Sequence, residues 1–355
     1  SRRARSLLER FKTPRAILEA PAEEIAQVEN IGWEAAKKIV EGRKRVDLER
    51  QAKLAEKHNV TLIPLDSEFY PANLKAIFDP PLVLFVKGEI LPQDYFSIAI
   101  VGTRMNSFYG RTMSEKLSRE LAGKGFTIVS GGARGIDTFS HQAALRAGGR
   151  TLAVLGSGLD ITYPAENKKL FEKICEKGAV ISEFPLSTRP DKGNFPMRNR
   201  IISGLSLGVV VVEAPHKSGA LITVTHANEQ GREVFSVPGQ ADSFVSKGSN
   251  QLLREGAKLV ESADDIIGEL EPLLKSKIEE FRAGERQIKQ EKPAGLFLEE
   301  KESILYSLLS EGACCLDEII EKTNMDISKI SDILLRLQVR GLIKELAGKQ
   351  FIRSH

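Results

Sequence analysis

Four short segments of the sequence combine glycine with small polar or basic residues, a composition that is typical of phosphate-binding loops. Glycine lets the main chain come close to a ligand, and amide groups at the start of a helix attract an anion. One segment is Gly156–Asp160 (GSGLD), and two others carry an arginine, which binds phosphate oxygens directly. The residues of the other three segments that we predict to contact phosphate groups are Gly102, Thr103, Arg104, Ser130, Gly131, Gly132, Ala133, Arg134, Gly135, Ser218 and Gly219.

A fifth segment, Phe195–Ile202 (FPMRNRII), places arginines on both sides of Asn199. We interpret Arg198 and Arg200 as a fork for a phosphate group, lying just before a helix with an apolar face. Lys192 adds charge upstream, and Phe195 is suited to stack on a base. The alternative is a surface ion-pair cluster without a ligand. Alanine at Arg104 or at Arg198 is therefore expected to weaken binding of oligothymidine without unfolding the protein.

The same segments lack the residues that common phosphate-linked catalysis requires. The loop that begins at Ser130 has neither a Gly-x-Gly-x-x-Gly pattern nor a Gly-Lys-Ser/Thr ending, which argues against ATP hydrolysis of the P-loop type. Asp137 and His141 lie four residues apart on a predicted helix, but no third metal ligand can be assigned to them. A capping aspartate and a packed histidine are the favoured interpretation. We predict no catalytic residue, no metal and no cofactor.

Composition places the chain among ordinary globular proteins. With 355 residues, 41% hydrophobic and 28% charged, it is long enough for two or three domains. The net charge of +3 permits a nucleic-acid partner without arguing for one, because 51 basic residues nearly balance 48 acidic ones. The absence of an apolar run near 18 residues predicts no membrane partner. A cytoplasmic location is expected because no Cys-x-x-Cys spacing joins the three cysteines, Cys175, Cys314 and Cys315.

The middle of the chain predicts an α/β fold with a doubly wound, Rossmann-like parallel sheet. Short apolar runs without polar alternation indicate strands that are buried on both faces, and amphipathic stretches between them indicate helices. Ligands of such sheets bind at the carboxyl ends of the strands, where the glycine-containing segments lie. The predicted strands are Ser97–Gly102, Phe126–Ser130, Thr151–Gly156, Ala179–Phe184, Gly208–Ala214 and Glu233–Gly239. The predicted helices between them include Gly110–Lys124, Ile136–Ala147 and Leu221–Glu229.

Two smaller domains are expected to flank this core, which we place at residues 61–270. Residues 1–60 resemble a helix-hairpin-helix with Asn30 in the tight turn, and a helical interaction module that does not touch DNA is equally compatible. After a polar linker at 271–293, residues 294–355 follow the order of a winged helix, with a third helix over Ile327–Arg340. From Lys292 onward there are 9 basic and 10 acidic side chains, which favours protein interaction over duplex binding.

Several runs of residues resemble the bacterial DprA/Smf family of DNA-processing proteins. The runs are SGGARGID, GSGLDITYP, FPMRNRIISGLS, VVEAPHKSGALIT and GREVFSVPG, in this order, and the resemblance is strong over residues 61–265. It implies a protein that binds single-stranded DNA without catalysis, protects incoming DNA in natural transformation and loads the recombinase RecA. It also implies that Arg104 contacts the DNA backbone, that Lys192 is the nearest candidate for a second contact, and that the protein forms a homodimer through about Phe244–Val260.

Two other functions remain open. Phosphoribohydrolases of the same broad fold carry a Pro-Gly-Gly-x-Gly-Thr motif followed by a glutamate. Here the matching segment is Ser218–Thr223, and no glutamate follows before Glu229. An assay for free base released from nucleoside monophosphates distinguishes this enzyme from a DNA-binding protein. A transcriptional regulator that works through the winged helix is the third possibility, and it requires that deletion of residues 293–355 abolish DNA binding.

Overall fold

The computed structural model describes residues 2–43, 47–275, 300–309 and 314–323, and parts of 325–353. Contacts between residues divide the chain into two compact units, 1–274 and 275–355. No helix within the described residues is both long and apolar enough to cross a membrane. The domain boundary near residue 60 stays a prediction, because the first unit contains both the N-terminal helices and the α/β core.

A sheet of nine strands forms the centre of the first unit. The strands are β1 (Thr61–Pro64), β2 (Val83–Gly88), β3 (Ser97–Val101), β4 (Thr127–Ser130), β5 (Thr151–Val154), β6 (Ala179–Ser182), β7 (Gly208–Val211), β8 (Glu233–Ser236) and β9 (Lys258–Leu259). Their order is β1-β2-β6-β5-β4-β3-β7-β8-β9. Strands β3 to β9 pair in parallel, whereas β1 and β2 form an antiparallel hairpin that joins the sheet at β6. The predicted Rossmann-like parallel sheet is confirmed.

Helices cover both faces of this sheet. The helices of the first unit, in chain order, are α1 (Arg2–Phe11), α2 (Pro14–Glu19), α3 (Ala22–Ala26), α4 (Trp33–Arg43), α5 (Leu48–Lys57), α6 (Ala72–Lys75), α7 (Phe108–Gly123), α8 (Ile136–Arg146), α9 (Lys168–Lys177), α10 (Asn194–Leu205), α11 (Gly219–Glu229), α12 (Lys247–Arg254) and α13 (residues 263–275). Because successive strand residues point to opposite faces, Ile98 and Ile100 pack against α7, α8 and α13, whereas Ala99 and Val101 pack against α10 and α11. Every residue of β3 to β7 is buried, as the apolar runs predicted.

The direction of strand addition reverses at β3. From β3 the chain builds β4, β5 and β6 on one side, and then crosses over to place β7 and β8 on the other. The six predicted strands are all present, each within three residues of its predicted ends, and β1, β2 and β9 were not predicted. An open parallel sheet binds its ligands at such a reversal, outside the carboxyl ends of the strands. The fold therefore predicts that a ligand binds at the loops after β3 and β7.

The first four helices, α1 to α4, surround a small apolar core of their own, whereas Ala55 of α5 is buried together with Phe85 of β2. That core includes Leu7, Ile25, Val28 and Ile31, all of which are buried. Between α3 and α4 the chain turns through Asn30, which has a φ of 65°, a conformation that asparagine adopts more readily than most residues. The assignment of this region as a helix-hairpin-helix stays a prediction.

The second unit has the winged-helix order of elements. It contains α14 (Glu300–Leu308), β10 (Cys314–Cys315), α15 (Leu316–Thr323), β11 (Ile343–Leu346) and β12 (Gln350–Arg353). Residues 330, 333, 334 and 337 are helical and contribute to its apolar core. The predicted winged helix is confirmed, although most of its third helix, including Arg336 and Arg340, lies outside the described residues.

Candidate nucleic-acid interface

A cavity of about 570 Å³ opens at the carboxyl ends of β3 and β7, where the strand order reverses. The loop after β3 and the loop after β7 are joined by a hydrogen bond of 2.8 Å from the Thr103 amide to the Glu213 carbonyl. The other walls come from the first residues of α8, α10 and α11. The predicted site residues that line this cavity are Gly102, Thr103, Arg104, Ala133, Lys192, Phe195, Arg198, Asn199, Ser218 and Gly219.

Two glycines allow the loop after β4 to pack closely against its neighbours. Gly135 has a φ of 77°, and a Cβ atom there would lie 2.4 Å from the Thr103 carbonyl oxygen. A Cβ atom at Gly131 would lie 2.8 Å from the Arg198 guanidinium. Only glycine therefore fits both positions, and the close approach places the N-terminus of α8 beside the cavity.

Arg104 is the exposed cation of the cavity that lies beside an aromatic ring. It is exposed in the loop after β3, and its guanidinium carbon lies 5.4 Å from the centre of the Phe195 ring. The Tyr163 ring lies 5.7 Å from the Phe195 ring, tilted by 35°. No ion pair engages Arg104 within the described part of the chain. The arrangement offers a guanidinium for a phosphate group next to two aromatic faces for a base.

The lining of the cavity is strongly cationic. Among the described residues it contains Arg104, Lys192, Arg198 and Lys217, against the single carboxylate of Asp137. Lys192 and Lys217 are both exposed. A net positive concave surface concentrates field and attracts an anion such as a DNA strand.

Arg198 holds the floor of the cavity together. Its side chain is only 5% exposed, and its Nη1 donates to the carbonyl of Gly131 at 2.6 Å and to the carbonyl of Val154. Burial lowers the pKa of Arg198 to about 10, an effect that the nearby Asp137 carboxylate opposes. The guanidinium therefore stays charged at neutral pH and ties the ends of β4 and β5 to α10. This burial contradicts the expectation that alanine at Arg198 would leave the fold intact.

The predicted phosphate fork is wrong, because Arg200 points away from Arg198. The Arg-Asn-Arg run lies inside α10 rather than before it, and residues two apart on a helix are separated by about 200°. Arg200 donates to both carboxylate oxygens of Glu183, at 2.6 and 2.7 Å, and to the Asp79 carbonyl at 3.0 Å. Arg200 therefore supports the hairpin side of the sheet and does not line the cavity.

Asp137 lines the cavity with only 7% of its surface exposed, and His141 is fully buried one turn further along α8. The Asp137 carboxylate accepts from the Ala133 amide at 3.3 Å, and burial raises its pKa against the influence of Arg198. Thr151 donates its hydroxyl to the Ile128 carbonyl, so that His141 Nδ1 must donate to Thr151 Oγ1, at 2.7 Å. Burial lowers the pKa of His141 to about 3, and the ring is neutral at physiological pH. The histidine is packed, as predicted, and Gly135 rather than Asp137 occupies the cap of α8.

The remaining predicted residues have mainly structural contacts. Ser130 donates to the Ile100 carbonyl at 2.6 Å, and the Ser218 hydroxyl caps α11 by accepting from the Ala220 amide at 3.2 Å. Asn199 donates to the Gly219 carbonyl at 3.1 Å. Gly131 and Arg134 line a smaller cavity of about 60 Å³ that shares Arg104 and Phe195 with the main one. Ser130, Gly132 and Gly135 line neither cavity.

Comparison with protein families identifies the chain. The profile described as DNA recombination-mediator protein A matches residues 61–271, and the profile described as the DprA winged helix domain matches residues 289–349. The chain belongs to the DprA/Smf family. Protein Smf of Synechocystis is 36% identical to this chain, over 93% of this chain and 89% of the length of the Synechocystis protein.

Two solved DprA structures are similar to the chain. DprA of Streptococcus pneumoniae has a TM-score of 0.65 and 37% identity, over 75% of this chain and 92% of its own. DprA of Helicobacter pylori, described for its single-stranded DNA binding mode, has a TM-score of 0.54 and 32% identity, over 61% of this chain and 96% of its own. Both likenesses agree with the Rossmann-like core described above.

Sequence reasoning missed further residues that line the cavity, among them Lys217, Tyr163 and Met105. Lys217 directly precedes the predicted Ser218, and its position in the run PHKSG was a usable signal. Tyr163 follows the GSGLD segment and meets Phe195 only in the fold. Met105 is 76% exposed beside Arg104, and an exposed apolar residue has no sequence signal that separates it from a core residue.

Proposed function

We propose that this protein binds single-stranded DNA in the cavity between the ends of β3 and β7, without catalysing a reaction. The observation that carries the proposal is the exposed guanidinium of Arg104 over the Phe195 ring, in a cavity that the exposed lysines Lys192 and Lys217 also line. The cations are suited to the phosphate backbone, and the rings of Phe195 and Tyr163 are suited to an unstacked base. The H. pylori relative, whose description names single-stranded DNA, supports the same ligand class.

A single strand fits this site better than a duplex. A cavity of about 570 Å³ accommodates groups of nucleotide size, and its aromatic rings lie beside the buried floor that Arg198 forms. A base can reach those rings only when it is free of its stacked neighbours, which is normal in a single strand and costs a few kcal/mol in a duplex. The phosphate contacts carry no sequence information, so binding is sequence-independent.

The arrangement of carboxylates favours binding over catalysis. Asp137, the acid that lines the cavity among the described residues, is 7% exposed and accepts a hydrogen bond from the Ala133 amide. Glu213 is buried and accepts from the amide and hydroxyl of Ser107, at 2.9 and 2.5 Å. Both carboxylates are engaged in holding loops, which leaves neither placed as an acid for cleavage of a nucleotide.

The proposed cellular role follows the family. We propose that the protein acts in the cytoplasm as a homodimer, protects incoming single-stranded DNA in natural transformation and transfers it to RecA. The segment Phe244–Val260 is the proposed dimer contact, and the exposure of Phe244 (66%) and Leu259 (54%) supports it, since exposed apolar side chains favour association.

Gel-shift measurements with single-stranded and duplex DNA of one length, at two salt concentrations, test the proposal. We expect the single strand to bind more tightly, with an affinity that falls steeply as salt rises, because each phosphate contact contributes a slope of about −0.7 in log K against log [salt]. Deletion of residues 293–355 is expected to leave most of this affinity. Preference for the duplex, or loss of all binding on deletion, would favour the regulator instead.

A further inference from the structure

A second groove lies between α8 and α9, next to the loop at residues 131–135, which we call the glycine loop. Its volume is about 440 Å³, and its lining includes Gln142, Arg146, Glu166, Lys169 and Lys173. It shares no lining residue with either cavity at the strand ends. We refer to it as the α8–α9 groove.

The groove and the cavity meet at one exposed ion pair. Arg134 lines the small cavity that adjoins Arg104, and its Nε donates to a carboxylate oxygen of Glu166, which lines the groove. The two side chains are 66% and 50% exposed. An ion pair this exposed contributes little to stability and is easily exchanged for another anion.

The wall of the groove is fixed to the glycine loop. Asn167 is buried, and its Nδ2 donates to the Gly132 carbonyl at 3.0 Å and to Thr138 Oγ1 at 2.8 Å. These hydrogen bonds attach the start of α9 to the loop that leads into α8. The groove therefore has a defined position relative to the cavity.

Two lysines give the groove its charge. Lys169 and Lys173 are exposed and one helical turn apart on α9, about 6 Å along its axis. No ion pair engages either of them within the described residues. Arg146, in contrast, is paired with Glu115 at 3.1 Å. Two unpaired lysines, in a groove whose Glu166 is bonded to Arg134, complement an extended polyanion such as a phosphate backbone.

We propose that the α8–α9 groove binds the phosphate backbone of the DNA strand that leaves the cavity, and that a phosphate replaces Glu166 as the partner of Arg134. The proposal rests on the proposed function and extends it, because it adds a second segment to the binding site. Glu166 then limits affinity for long strands, since its carboxylate occupies Arg134 and repels the backbone.

Oligothymidines of two lengths test the groove. A strand of about 5 nucleotides can fill the cavity alone, whereas one of about 20 nucleotides also reaches the groove. The double variant Lys169→Ala/Lys173→Ala is expected to bind the long strand about tenfold more weakly and the short strand as wild type does. Its salt slope for the long strand is expected to be shallower by about 1.4, which corresponds to two lost phosphate contacts.

The matched control is Lys53→Ala/Lys57→Ala, which removes two exposed lysines with the same spacing from α5. It is expected to bind both strands like wild type. If the two double variants bind the long strand equally well, the groove does not bind DNA and the proposal is overturned, whatever partner the groove then serves. If wild type fails to bind even the short strand, the proposed function itself has failed.

The variant Glu166→Gln tests the exchange at Arg134. It keeps the shape of the side chain and removes its charge, so that Arg134 becomes available to a phosphate. We expect tighter binding of the long strand and a salt slope that is steeper by about 0.7. Unchanged or weaker binding of the long strand would show that Glu166 does not compete with the backbone, and would overturn this part of the proposal.

Discussion

Replacement of Arg104 with alanine is expected to weaken binding of single-stranded DNA about 30-fold and to leave the fold intact. The exposed guanidinium contributes a charge-assisted contact to a phosphate, worth about 1.5–3 kcal/mol, and a cation–π contact to the Phe195 ring. Because the side chain is exposed and unpaired among the described residues, its loss should change the free energy of unfolding by less than about 0.5 kcal/mol.

Titration of labelled oligothymidine and urea unfolding of the same variant check the two parts of this expectation. Arg119→Ala is the matched control, since Arg119 is an exposed arginine on α7 outside both cavities. Arg104→Lys should recover part of the affinity, because an ammonium group keeps the charge but not the planar contact with Phe195. Wild-type affinity in Arg104→Ala would remove this residue from the interface.

Replacement of Arg198 with alanine is expected to lower the free energy of unfolding by about 3–5 kcal/mol. The guanidinium is buried and bonded to the Gly131 and Val154 carbonyls, and its charge compensates the buried Asp137 carboxylate. Its removal leaves those carbonyls without a donor and Asp137 without its counter-charge. DNA binding should also fail, as a consequence of the distorted loop after β4.

A double variant separates the structural role of Arg198 from a direct contact with DNA. Arg198→Met/Asp137→Asn removes both charges at once, and we expect it to recover a substantial part of the stability that Arg198→Ala loses. Denaturant unfolding measures both variants. If Arg198→Ala instead unfolds at the wild-type midpoint and binds DNA poorly, Arg198 contacts the DNA directly, as the sequence interpretation had it.

Most of the fold could be predicted from local patterns, because the strands that carry it are buried on both faces. Runs such as Ser97–Val101 contain no polar interruption and are too short for helices, which leaves the parallel sheet as their interpretation. The β1–β2 hairpin was missed because β1 is buried at only one residue, Ile63. The start of α10 was misplaced because Pro196 stands in its first turn, where a missing amide costs nothing.

The candidate site was harder to predict, since the partners of its residues are distant in the sequence. Arg198 and Arg200 have the same side chain and lie only two positions apart, and their different roles depend on where the chain brings carbonyls and carboxylates. Asp79, which accepts from Arg200, lies 121 residues before it in the sequence. Glu183, the other partner of Arg200, lies 17 residues before it. Arg104, by contrast, could be placed at the cavity from the sequence, because the carboxyl end of a parallel strand is where an open α/β sheet binds its ligands.

Ultraviolet crosslinking of oligothymidine to the full chain, followed by mass-spectrometric mapping of the linked peptides, tests the central claim most directly. Stacking against a base brings an aromatic ring within crosslinking distance, so we predict that the principal crosslinks map to Phe195 and Tyr163, with loss of the signal in Arg104→Ala. Crosslinks confined to the second unit, within residues 300–353, with none at either ring, would contradict the account.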